Sequence, residues 1–172
     1  IARQAGVTEL TLFRNFGSKE KLFEAMLRRY TFLPKLMELF PELNRVSYSE
    51  SLKMIGTNYF ETLQHNKLFM KIMFSEMNHY PENVRSVYNN LVKDLLQALA
   101  EHFAALQKKG ILRRFSVGVA ARAFLGMIFF YFRTEELITG RTVSKKELQK
   151  TIEEFVRIFV QGTQKNEIFK KS

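Results

Sequence analysis

With no cysteine among its 172 residues, the chain is closed to disulfide, zinc-thiolate and cysteine-nucleophile chemistry. Its three histidines, His65, His79 and His102, lie 14 and 23 positions apart and make no paired metal motif. Glu76 and His79 do have the i, i+3 spacing of one half of a di-iron bundle site. That site needs a second copy and two further glutamates on facing helices, and no second Glu-x-x-His exists. No glycine-rich phosphate loop and no nucleophile elbow occurs either, so the sequence offers no argument for catalysis, a cofactor or a resident metal. The spacing that does carry chemistry is at the start of the chain. Thr8, Glu9, Leu10 and Thr11 fall in the first turn of a short helix, with Arg14 and Asn15 one turn further on. The Glu9 carboxylate can accept from a cytosine amino group, and Leu10 can touch a thymine methyl. Each has a plainer use: Thr8 as a cap, Glu9 as a complement to the helix dipole, Arg14 as a solvated surface charge.

The elements that must position these residues are legible in IARQAGVTELTLFRNFGSKEKLF, residues 1–23. Ala2, Ala5 and Val7 are placed to pack against Leu12 and Phe16. Gly6 sits where a first helix must stop, and Thr8 can cap the second. Gly17 can end that helix, and Ser18 can cap a third, with Glu20 in its first turn. Two short helices joined by a tight glycine turn are what a DNA-reading helix-turn-helix requires.

Residue by residue, this stretch resembles the second half of the DNA-binding domain of TetR-family transcriptional regulators. The matching positions are Ile1-Ala2, Ala5-Gly6-Val7, Thr11-Leu12-Phe13, Phe16, Gly17-Ser18-Lys19-Glu20 and Leu22-Phe23. The resemblance implies phosphate contacts at Thr11 and Lys19. It also marks two departures: Phe13 stands where the family commonly has a tyrosine, and Leu10 where it often has glycine. The chain opens on Ile1 inside a helical pattern, whereas the family carries one more helix ahead of it, so the resemblance implies a preceding segment. Residues 1–33 are thus expected to form the end of a DNA-binding domain with its connecting helix, and 34–172 a helical ligand-binding and dimerisation domain.

The formal net charge is +10, and its distribution is uneven. Residues 1–33 carry six basic and three acidic side chains, and 107–144 carry seven and two. A basic surface favours phosphate contact without sequence preference. Most of the excess lies outside the first thirty residues, so charge alone does not locate a nucleic-acid site.

Apolar residues onward follow a helical period throughout, and the fold expected is all-α. Residues 18 to about 40 read as helix interrupted at Pro34, with a second break at Pro41 and a loop at 43–48. Helices follow over about 49–65, 66–79 and 81–109, the last stopped by Gly110. Another opens at Ser116, runs to about Ile138 and is closed by Gly140. Ser144 and Glu147 make a capping box for a final helix ending near Gly162. Val117 to Phe132 is almost wholly apolar, but sixteen residues interrupted by Arg122 are too few to span a membrane, which takes about 20. A helix apolar on all sides is expected to be buried on all sides. Helices 116–138 and 144–162 resemble the pair through which TetR-like proteins form homodimers. That they only close the intramolecular core stays open.

In the family, a small-molecule pocket lies among the helices after the reading head. The candidates here are Asn58, Tyr59, His65, Met73, Met77, Tyr88, His102, Met127 and Tyr131, a mix of thioether, aromatic and scattered polar groups suited to a mainly apolar effector. Each of these methionines is more often plain core than pocket wall. The resemblance implies a cytoplasmic, nucleoid-associated homodimer on a palindromic operator, most simply a repressor released by its effector. A helical carrier of hydrophobic ligands is the chief alternative, and a di-iron enzyme a distant one.

Overall fold

The computed structural model describes residue 6 and residues 8–18, 21–22, 24–25, 30–79 and 81–165; within these, the side chains of 9, 12, 13, 76–79, 81–88 and 90 fall outside the description. The described elements are α1 (Glu9–Phe16), helical backbone at 21–22 and 24–25, α2 (Leu33–Leu43), α3 (Tyr48–His65), α4 (Lys67–His79), α5 (Pro81–Lys108), α6 (Val117–Phe132) and α7 (Lys145–Thr163). A π-helix, Arg133–Ile138, continues α6 without a break. No strand occurs among the described residues; extended pairing is limited to one antiparallel bridge, Leu112 to Gln164. The fold is all-α.

Helix starts follow the side chains that can satisfy their free N–H groups. Ser47 caps α3 by accepting from the Glu50 amide at 3.2 Å, and Ser144 caps α7 by accepting from the Glu147 amide at 3.3 Å. Only that half of the expected capping box forms, because the Glu147 carboxylate turns instead to Tyr131 and Arg141. The two prolines behave differently from the sequence expectation. Pro34 stands in the first turn of α2 and starts that helix, where its missing N–H costs nothing. Pro41 lies inside α2, one turn from its end. It is exposed, as are Met37 and Glu38, so water can take the carbonyl left without a donor.

The core is built around α3. Phe60, Leu52 and Ile55 of this helix are fully buried, together with Phe124, Ile128 and Phe132 of α6 and Ile152 of α7. Gly56 lets the helices close up: a Cβ there would sit 3.3 Å from methyls of both Ile128 and Ile152. On the other side, α5 contributes Leu99 and Phe103, and α2 contributes Leu36. Tyr48 and Thr163 join the start of α3 to the end of α7 through a buried 2.9 Å hydroxyl contact. Thr163 gives its proton to the Phe159 carbonyl, so Tyr48 is the donor, and burial pushes its phenol up to about 12.

Two expectations for α6 need correction. It is not buried on all sides: Val119, Phe130 and, at the end of the π-helix, Ile138 expose 66, 68 and 69% of their surface. Nor does its length argue against a membrane, since Val117–Ile138 is 22 continuous helical residues with a mean hydropathy that passes for a span. What favours a core helix is its packing and charge. Its inner face is interleaved with α3, and Arg122, Arg133, Glu135 and Glu136 stand along the same 22 residues.

Candidate DNA-reading head and effector cavity

The reading head is assembled by short-range rules. Gly6 has φ +67° with open space where a Cβ would go, so the turn needs its conformation and not its size. Thr8 Oγ1 accepts from the Thr11 amide at 3.2 Å and lies 2.9 Å from the Thr11 hydroxyl. The Thr8 hydroxyl thus caps α1. After α1, Gly17 turns the chain at φ +80°. Ser18 then begins the next helical turn, its Oγ accepting from the Lys21 amide at 3.2 Å and its carbonyl from the Leu22 amide at 3.1 Å.

Thr8, Leu10, Thr11, Arg14 and Asn15 are all exposed and belong to one short capped helix, while Phe16 is half-buried. Leu10 is 71% exposed, an unusual place for a leucine unless something apolar meets it. Together they offer hydroxyl, amide, cationic and methyl groups, the mixture that base edges and phosphates accept. The side chains of Glu9 and Phe13, and the whole of Lys19, lie outside the described residues, as do residues 1–5.

The second site is a small, mainly apolar cavity of about 70 Å³ just beyond the head. Tyr30 and Phe32 form one wall where the chain leaves the head, and Tyr59, Leu63, Phe69, Met70, Met73, Leu91, Leu95 and Phe129 complete it from α3, α4, α5 and α6. Ring contacts hold the mouth: Tyr30 meets Phe69 at 5.1 Å and Phe32 meets Tyr59 at 5.2 Å between centroids.

Of the ligand residues expected from sequence, this cavity brings together Tyr59 and Met73. Asn58, the neighbour of Tyr59, faces the opposite way into a surface groove between α3 and α7 and donates to the Met54 carbonyl. His65 is exposed at the end of α3. Met127 packs half-buried against the core, and the Tyr131 hydroxyl donates to Glu147. His102 is buried at the far end of α5 between Phe40 and Phe103. Its Nε2 has no partner among the described residues, and burial, with the charge of Lys109, pulls its imidazole below the ordinary value. The side chains of Met77 and Tyr88 lie outside the description.

A polar cluster absent from the sequence expectation joins the corner between α3 and α4 to the π-helix. Glu136, on the π-helix, is 1% exposed and accepts from Lys67 Nζ at 2.7 Å, Gln64 Nε2 at 2.6 Å and the Val143 amide at 2.8 Å. Burial alone would raise its carboxyl, but these three donors outweigh that and hold it below the usual range. The signal in the sequence was a glutamate pair closing an apolar run. Among the described residues no group of three or more histidine, aspartate or glutamate side chains could hold a metal ion.

A glycine turn and a capped short helix at the start of an all-α chain are the described half of a helix-turn-helix. The chain belongs to the TetR family: residues 50–162 match the C-terminal domain of AefR-like transcriptional repressors, and residues 1–26 match the tetR family of bacterial regulatory proteins. It is 29% identical over 165 residues to the HTH-type transcriptional regulator YvkB of Bacillus subtilis, covering 94% of this chain and 83% of that protein. Among solved structures it resembles a TetR-family regulator from Mesorhizobium loti, with a TM-score of 0.80 at 20% identity, over 95% of this chain and 84% of that one. It also resembles the regulator FadR from Bacillus subtilis in complex with stearoyl-CoA, with a TM-score of 0.75 at 18% identity, over 94% and 85%. At such identities the two structures speak for the fold.

Proposed function

We propose that the protein is a ligand-responsive repressor that binds a palindromic operator as a homodimer and is released by a small, mainly apolar effector. The observation that carries this reading is the place of the cavity. One wall is Tyr30–Phe32, at the exit of the reading head, and another is Phe129 on α6. At about 70 Å³ it is far below the roughly 300–1,000 Å³ of an ordinary ligand site. An effector therefore has to part these walls to enter, and parting them moves the exit of the head. A ligand shifts such an equilibrium only by its preference for the opened state.

Support for the dimer comes from the apolar surface that α6 and α7 leave uncovered: Val119, Phe130 and Ile158 are 66, 68 and 57% exposed, with Ala123 and Gly126 between them. Two copies joined there would offer two reading helices to successive major grooves about 34 Å apart. In this reading Thr8, Glu9, Leu10, Thr11, Phe13, Arg14, Asn15 and Lys19 face the DNA, residues 1–33 belong to the head, and the protein works in the cytoplasm, at the nucleoid.

The stearoyl-CoA held by the FadR neighbour makes long-chain acyl thioesters the first effectors to try. In an anisotropy titration of the full-length protein on its own upstream DNA, acyl-CoA of increasing chain length should release the complex progressively. Tight DNA binding that no chain length disturbs would remove the apolar effector from the account.

A further inference from the structure

The corner between α3 and α4 carries three side chains within four positions that reach outward to different parts of the molecule. Gln64 and Lys67 grip the two oxygens of Glu136, at 2.6 and 2.7 Å, and Gln64 also donates to the Val143 carbonyl at 3.1 Å. Between them, Asn66 turns the other way: its Nδ2 donates to the Tyr30 carbonyl at 3.1 Å. The backbone of Asn66 is held at both groups, its N–H by Thr62 and its carbonyl by the Met70 amide, so the Cα from which its side chain reaches Tyr30 is fixed while the corner stays put. A second contact ties the middle of α4 to the same π-helix, with the Arg133 guanidinium lying over the Phe74 ring at 5.9 Å.

The geometry is that of a mechanical linkage. On one side stands the π-helix that ends α6, the helix with the uncovered apolar face. On the other stands Tyr30, where the chain from the reading head re-enters the body and lines the cavity. A π-helix has its bonds shifted by one residue, is rare, and occurs most often at functional sites. We infer that Asn66 is the positioning residue of the reading head, and that Glu136 sets Asn66 by clamping the corner on both sides of it. Movement of the π-helix relaxes Glu136, frees the corner and lets Tyr30 leave its place. The linkage deepens the regulator reading given above, but its physical test needs neither DNA nor effector.

That test is hydrogen exchange of the full-length protein, followed in the peptide covering residues 18–33, for wild type, Asn66→Ala, Glu136→Gln and Lys67→Gln. Ile152→Val, a buried change on α7 away from the corner, serves as the control for general loosening. Loss of one ordinary hydrogen bond corresponds to about five-fold faster opening, and Asn66→Ala should show about that in residues 18–33. Glu136→Gln and Lys67→Gln should speed the same peptide although their described hydrogen bonds go to one another, Gln64 and Val143. If Asn66→Ala does not fold, Asn66→Asp removes the donor at nearly constant shape and should give the same result. The linkage is overturned if Glu136→Gln and Lys67→Gln quicken exchange only near 64–67 and 133–143. It is equally overturned if Ile152→Val quickens 18–33 as much as they do. Because the readout is taken on free protein, failure here is distinct from failure to bind DNA.

Discussion

Enlarging the cavity by one side chain should turn it into a binding site for a probe of known size. Met73 is 1% exposed and forms part of a wall around about 70 Å³. Met73→Ala removes three heavy atoms and adds roughly another 70 Å³ if the walls hold. The result, near 140 Å³, approaches the roughly 150 Å³ at which an engineered apolar cavity takes up benzene. At about 24 cal/mol per Å³ the new space costs about 1.7 kcal/mol, on top of about 2 kcal/mol for the apolar surface lost, so the total is about 3.5–4 kcal/mol. In a chain of 172 residues each kcal/mol moves Tm by about 2–4 °C, so a fall of roughly 7–15 °C is expected. Thermal unfolding followed by circular dichroism, with and without benzene, measures both halves. Benzene at about ten times its Kd should return about 1.4 kcal/mol to the variant and nothing to wild type. A loss below about 1 kcal/mol with no benzene effect would mean that the walls collapse, and the argument for a cavity held open by α3, α4 and α5 would fail.

Two further outcomes follow from the core. His102 is neutral in the fold because its pKa lies below the ordinary 6.5, through burial first and the charge of Lys109 second. As pH falls through 6.5 the unfolded chain takes up its proton first, so stability is full above that value and is lost below it until the folded pKa is passed. His102→Leu should remove this part of the decline in urea unfolding measured at about pH 7.5 and about pH 5.5, and an unchanged slope would assign it elsewhere. At Gly56 the neighbouring methyls at 3.3 Å leave room for little more than a small shift. Gly56→Ala should be within about 1 kcal/mol of wild type, overcrowding being offset by helix propensity, while Gly56→Leu should cost about 3 kcal/mol or more. Equal stability of the two variants in chemical denaturation would show that α3 and α7 are not held at this separation by Gly56.

Much of the fold was legible because serines and glycines punctuate it. Ser144 and Gly110 mark helix ends with local chemistry that the structure repeats. The reading head was legible for the same reason: its turns need a glycine at Gly6 and Gly17 and a cap at Thr8, all within sequence neighbours. What failed depends on contacts far apart in the chain. Pro41 stays helical because its face of α2 is solvated, and the buried place of Glu136 depends on Gln64 and Lys67, 72 and 69 positions away. The cavity lining could not be separated from the core by residue type. Asn58 and Tyr59 are adjacent yet face opposite sides of α3, and Leu63, Leu91, Leu95 and Phe129 look like any other buried apolar residues until the helices are assembled.

The central claim, that the head at residues 1–33 binds operator DNA, is tested most directly by titrating the full-length protein on its own upstream DNA across a range of salt, for wild type and Lys19→Ala. The account predicts tight, sequence-selective binding whose logarithm falls steeply with the logarithm of salt. Lys19→Ala should weaken every sequence alike and lower the salt slope by about one phosphate contact. Weak binding, equal for any DNA and unchanged by Lys19→Ala, would contradict it.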